Sequence, residues 1–150
     1  MAALNPADAV ADTRSRNPLP AWQRRWLHGC LWAALTSGMT WITLHYMIGP
    51  GPEGLPLPAE SWVMKLHGIS AFAALFGAGL VGGGHVARGW RSGLQRNSGL
   101  ALCALGGLMV ASGYAMYYLL PETWRTVVGL GHAALGLSLA GVLLWHTRER

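Results

Sequence analysis

The sequence predicts an all-α fold, a transmembrane four-helix bundle with both termini on the cytoplasmic side. Three observations lead there. Only 11% of the 150 residues are charged while 52% are hydrophobic, against about 25% charged in an ordinary soluble domain. Four long windows contain no Asp, Glu, Lys or Arg: Trp26 to Pro52, Leu66 to Ala87, Asn97 to Pro121 and Thr126 to Thr147. Nine of the eleven basic residues then fall on one side of the resulting topology.

Residues 1–21 read as a flexible cytosolic tail. They hold Asp8, Asp12 and three prolines, and they lack the apolar stretch and small-residue cleavage site of a secretory signal. Residues 22–150 form the membrane bundle, with spans expected at 26–48, 62–86, 97–120 and 124–146. About 20 apolar residues suffice to cross the hydrocarbon core, so each charge-free window accommodates one crossing with some tilt. The loop Gly49-Pro-Gly-Pro-Glu-Gly-Leu-Pro-Leu-Pro58 ends the first span and delays the second, giving a hairpin. Between the third and fourth spans only Leu120-Pro-Glu-Thr-Trp124 intervenes. There Pro121 suits a helix start and Glu122 its positive end, so a second tight hairpin follows. Trp22, Trp26, Trp62, Trp90, Trp124 and Trp145 stand near the expected boundaries, as an interfacial aromatic belt does.

Orientation follows from Lys and Arg, which are retained on the cytoplasmic side of short loops. Arg14, Arg16, Arg24 and Arg25 precede the first span, Arg88, Arg91 and Arg96 join the second to the third, and Arg148 and Arg150 close the chain. Lys65 and Arg125 alone lie opposite. The net charge of +5 therefore reflects topology. Nucleic acid is not an expected partner, because the arginines are divided among three membrane-flanking segments instead of forming one basic face. Cys30 and Cys103 read as structural thiols at the reducing side.

Polar groups in a membrane mark function, and all six histidines fall inside the charge-free windows. The third span has none. The other three each carry one histidine near the cytoplasmic end and one nearer the outer end, giving an inner layer of His28, His85 and His146 and an outer layer of His45, His67 and His132. At about 100° and 1.5 Å per residue, His67 and His85 lie on one face about 27 Å apart, His132 and His146 nearly so about 21 Å apart, whereas His28 and His45 diverge by about a quarter turn. Ala71, Ala74, Ala78 and Gly82 line the face of the second span between its histidines, a groove that admits a flat cofactor, while Trp32, Leu35, Met39 and Ile42 follow His28. His67 is thus paired with His132 and His85 with His146, and these four are the expected cofactor and metal ligands. The mismatch of about 6 Å falls to tilt or to Gly82-Gly83-Gly84. Two imidazoles from facing helices suit a haem iron. Zinc wants four ligands, often with cysteine or carboxylate, and no span holds an acidic residue.

With these residues the chain, from about Trp26 to His146, resembles the small bacterial diheme b-type cytochromes, among them the four-span cytochrome subunits of respiratory formate dehydrogenases and hydrogenases. His132 and His146 match, in identity and spacing, the ligand pair of that family's fourth span, and His67 matches the ligand of its second. The resemblance implies His28 as the remaining ligand; Leu66-His-Gly68 with His85-Val-Ala-Arg-Gly-Trp90 resembles a group of short bacterial membrane proteins and keeps His85. It further implies two haems b, a place in the bacterial inner membrane, and electron transfer between a quinone pool and a redox partner protein. His45, Glu60, Arg125, Tyr114, Tyr117 and Tyr118 are then candidates to border a quinone or partner site, the plainer expectation being interfacial anchoring with a Glu60–Arg125 ion pair. The alternative from another class is a haem-free membrane assembly partner or small transporter using its histidines for hydrogen bonds and proton relay. There is no phosphate-binding glycine loop before a lysine and no nucleophile with a spaced base.

Overall fold

The computed structural model describes residues 19–93 and 96–148. Residues 1–18, most of the expected tail with Arg14 and Arg16, lie outside the described residues, as do Leu94, Gln95, Glu149 and Arg150. Among the described residues the chain is all-helical, with no strand.

Helix α1 (Ala21–Ile42) runs directly into a π-helical turn, Thr43–Ile48, which stops at Gly49 with φ of 80°. Its hydroxyls satisfy themselves: Thr36, Ser37, Thr40 and Thr43 each donate to a carbonyl one turn back at 2.6–3.0 Å. That is how Ser and Thr are carried into an apolar medium without an unpaired donor. Helix α2 (Pro58–Val81) starts with proline in its first turn, where the missing N–H costs nothing. The Glu60 carboxylate turns back to accept the Leu57 N–H at 3.2 Å, half of a capping box. A second π turn, Gly82–Val86, carries α2 into α3 (Ala87–Ser92), and Gly93 in the left-handed conformation, φ 76°, ends it. The Arg96 guanidinium donates twice to the Trp90 carbonyl, at 3.0 and 2.7 Å, tying α3 to the start of α4 (Arg96–Tyr118). After Pro121, α5 (Glu122–Arg148) completes the described chain.

Three helices are long and apolar enough to cross a membrane: the continuous rod Pro58–Arg91 of 34 residues, Arg96–Tyr118 of 23 and Glu122–Arg148 of 27. Gln23, Arg24, Arg25 and His28, together with the Thr, Ser and Trp residues of α1, keep it outside that class, although its length matches. Two antiparallel hairpins make up the architecture, α1 packed on α2 and α4 packed on α5, with α1 touching α5 more lightly. Neither α4 nor α5 packs its backbone closely on α2. Among the described residues only Ala74, Val81 and Leu143 are buried apolar residues, while Trp62, Leu66, Ile69, Phe72, Phe76 and Leu80 make an exposed stripe along α2. Such a stripe, recurring every three to four residues, is one face of a helix, and it suits contact with lipid tails.

Contact between the hairpin partners is made through small residues. Trp26 lies over Gly77, where an added Cβ would come within 3.0 Å of the indole, and its Nε1–H donates to the Ala73 carbonyl at 3.2 Å. Trp26 is thus a helix–helix contact as much as a member of an aromatic belt.

Candidate functional site

Two imidazole pairs bridge the space between the α2–α3 rod and α5. His67 and His132 have ring centres 6.3 Å apart with planes at 71°, and His85 and His146 have ring centres 6.4 Å apart at 88°. The four histidines singled out from the sequence therefore meet two by two. His28 lies half-buried on α1, and the ring facing His146 is that of His85.

The His85 side depends on the second π turn, of which His85 is part. A π turn bonds i to i+5, taking up a residue more than an α turn for its advance, and it recurs at functional positions. The glycines at Gly82, Gly83 and Gly84 have the low helix propensity that admits it. This turn absorbs part of the mismatch of about 6 Å between the His67–His85 and His132–His146 spacings. It also means that counting about 100° per residue does not carry across this segment.

His67, His132 and His146 are each tied through Nδ1. His67 Nδ1 lies 2.8 Å from the Ala34 carbonyl and 3.3 Å from Ser37 Oγ. A carbonyl only accepts, and the Ser37 hydroxyl hydrogen already goes to Ala33, so Nδ1 carries the proton and Nε2 the lone pair. The ring reaches α1 because of Gly38, where an added Cβ would stand 3.1 Å from His67 Cε1. His132 Nδ1 lies 2.8 Å from Ser112 Oγ, whose own hydrogen is given to the Leu108 carbonyl at 2.7 Å. Nδ1–H of His132 is accordingly the donor, and Nε2 again holds the lone pair. His146, buried, is hydrogen-bonded through Nδ1 to Ser98, the most deeply buried side chain among the described residues, at 2.8 Å. Interhelical hydrogen bonds in membrane proteins average only about 0.6 kcal/mol. These contacts are therefore too weak to determine the fold, and their chief effect is to fix which nitrogen bears the proton.

Ring spacing has a direct chemical meaning. An imidazole nitrogen sits about 2 Å from a metal it ligates and about 1.1 Å from its own ring centre, so two rings on opposite sides of one metal ion hold their centres about 6 Å apart. Both pairs have that separation, which is also that of an ordinary edge-to-face ring contact. Among the described residues no three His, Cys, Asp or Glu side chains converge on one point. Each pair is two imidazoles with no third such side chain beside them among the described residues. An open cleft of about 400 Å³ flanks His132 along Gly131, Leu135 and Ser138, and a separate one of about 570 Å³, lined by none of the four histidines, lies between Lys65, Gly68 and Phe72 of α2 and Tyr117 of α4.

His45 belongs elsewhere. On the first π turn, its Nδ1 is 2.9 Å from Glu60 Oε2, and its ring stacks on Trp41 at 4.6 Å and 13°. Arg125 instead pairs with Glu122 at 3.0 Å. The expected Glu60–Arg125 pair is therefore not formed, because Glu60 is held by the α2 cap and by His45 while Arg125 finds a carboxylate one turn before it on its own helix. Glu60 is buried and its carboxylate serves two partners, so Glu60→Ala should lower stability by about 1–3 kcal/mol. Glu60→Gln, which keeps an acceptor for the Leu57 N–H, should lose less, and thermal denaturation of the solubilised protein measures both. The serine partners and the His45–Glu60 contact carry no signal in the sequence beyond the presence of polar residues in or beside apolar windows.

No protein family, no curated protein and no solved structure matches this chain.

Proposed function

We propose that this chain is a four-span diheme b-type cytochrome of the bacterial inner membrane, with both termini cytoplasmic, and that it transfers electrons across the bilayer between a quinone pool and a partner protein. In this reading His67 and His132 hold one haem b and His85 and His146 the other. The observation that carries it is the pair of ring separations, 6.3 and 6.4 Å, on helices whose backbones do not pack closely against each other. Haem iron, when bound, accepts and releases one electron without a change of ligands. The chain's part is to present Nε2 of each ring, to fix its tautomer through Nδ1 where the bonds of His67 and His132 require it, and to keep water from the rings with the apolar helices around them. His132 lies near the middle of α5 and His146 near its C-terminal end, 14 residues or about 21 Å apart along it, so together they divide part of the hydrocarbon thickness into shorter steps.

The purified protein tests this directly. A reduced-minus-oxidised spectrum with b-type bands and two haems per polypeptide is the expected result. A wild-type protein without those bands would instead favour the haem-free alternative, in which the imidazoles serve as interhelical hydrogen-bonding groups.

A further inference from the structure

We propose that α4, which lends no imidazole to either pair, is an orienting helix: its Ser112 and Ser98 position His132 and His146 and thereby set the redox poise of the sites those rings form. This rests on the cytochrome reading above.

The spacing of the serines is the first argument. Ser98 and Ser112 are as far apart on α4 as His132 and His146 are on the antiparallel α5, about four helical turns in each case. Each serine stands 2.8 Å from the Nδ1 of its histidine. Contacts between Met116 and Gly129 and between Met109 and Gly136 follow the same descending register, so both serines meet their rings because one helix pair keeps step over its length. The chemistry at Ser112 is the second argument. Its hydroxyl hydrogen is committed to the Leu108 carbonyl, with the Met109 carbonyl also within 3.2 Å. The oxygen can therefore only accept from His132, and the Nδ1–H···Oγ bond has one direction. An acceptor at Nδ1–H raises the basicity of Nε2, the nitrogen left to ligate a metal if one binds. A more basic ligand stabilises the oxidised, more positive iron and lowers the potential. Ser98 stands at the same distance from its histidine in a more deeply buried place, 1% exposed against half-buried Ser112. These serines are positioning residues: they act through the imidazoles and touch no iron themselves.

The test is a potentiometric titration of the b-type band in the full-length, haem-loaded protein carrying Ser112→Ala or Ser112→Thr, with the histidine tautomers read by ¹⁵N NMR. Ser112→Ala should shift the oxidised-to-reduced ratio of one haem about ten-fold toward reduced at fixed potential, which for a one-electron couple is about 59 mV upward. The other haem should keep its potential. Ser112→Thr, which retains the hydroxyl, should restore both the potential and the Nδ1–H signal of His132. If Ser112→Ala loses one haem altogether, recovery of that haem in Ser112→Thr supports the positioning role, and loss in both variants overturns it. Wild-type potentials in Ser112→Ala also overturn it while leaving the cytochrome reading intact. A wild-type protein with no b-type band defeats both, and the two failures are thus distinguishable.

Discussion

Replacing His132 by alanine is expected to lower the haem content from two per chain to one. His132 is the α5 imidazole whose ring centre stands 6.3 Å from that of His67, and this pair is separated from the other by about 21 Å along the helix. Were the pair to hold a haem, loss of His132 would leave His67 as the one histidine of the pair to hold it, and a ten- to hundred-fold weakening follows even from disturbing a ligand's surroundings. The spectrum should lose about half its b-type amplitude, and His67→Ala should reproduce the result. A counterpart at the other pair separates the two inner candidates: His85→Ala should remove the second haem, whereas His28→Ala should leave both. Haem counting by extraction and by the alkaline pyridine spectrum measures all four variants. Retention of two haems in His132→Ala would defeat the pairing.

Gly38→Leu should remove the same haem without touching either ligand. Even a methyl group at Gly38 would stand 3.1 Å from His67 Cε1 and 3.2 Å from Nδ1. A leucine there needs the volume that the imidazole occupies, and the ring would have to leave the Ala34 carbonyl. The ring cannot yield by small rotations alone, because its Nδ1 is held to α1 itself. Overpacking of this kind typically costs about 1–3 kcal/mol, and the displaced ring would no longer face His132. Gly106→Ala serves as the control, since nothing lies within 4 Å of the added Cβ. It should leave both haems in place and raise helix stability by up to about 1 kcal/mol. Equal haem loss from Gly38→Leu and Gly106→Ala would show that the effect is one of helix composition and not of the His67 cradle.

The helices themselves are legible in the sequence because charge and apolarity are properties of single residues: windows free of Asp, Glu, Lys and Arg locate the helices around Leu66, Asn97 and Thr126 with no knowledge of packing. Proximity of His67 to His132 and of His85 to His146 is legible for a related reason, since histidine is rare enough in such windows that layers can be counted. What holds those rings is not. Ser112 and Ser98 are two serines among several, and only the antiparallel register of α4 on α5 distinguishes them from Ser138, whose hydroxyl merely donates to the Ala134 carbonyl one turn back. The π turns are hidden as well. Gly82-Gly83-Gly84 marks a weak segment, but whether such a run kinks, tilts or widens depends on what the two flanking helices must meet. Glu60 finds a different partner from the one that charge alone favours, Arg125, because backbone geometry gives its carboxylate to the Leu57 N–H and brings the His45 ring beside it.

The two hairpins divide the work in the same way. In each, the first helix supplies polar atoms that grip Nδ1, Ala34 and Ser37 of α1 for His67, Ser112 and Ser98 of α4 for His132 and His146, and the second helix supplies those rings. The rings of one half then meet those of the other across a gap that neither backbone closes. One hairpin is in this sense half of a clasp, complete in its own wiring yet unable to shut on anything by itself.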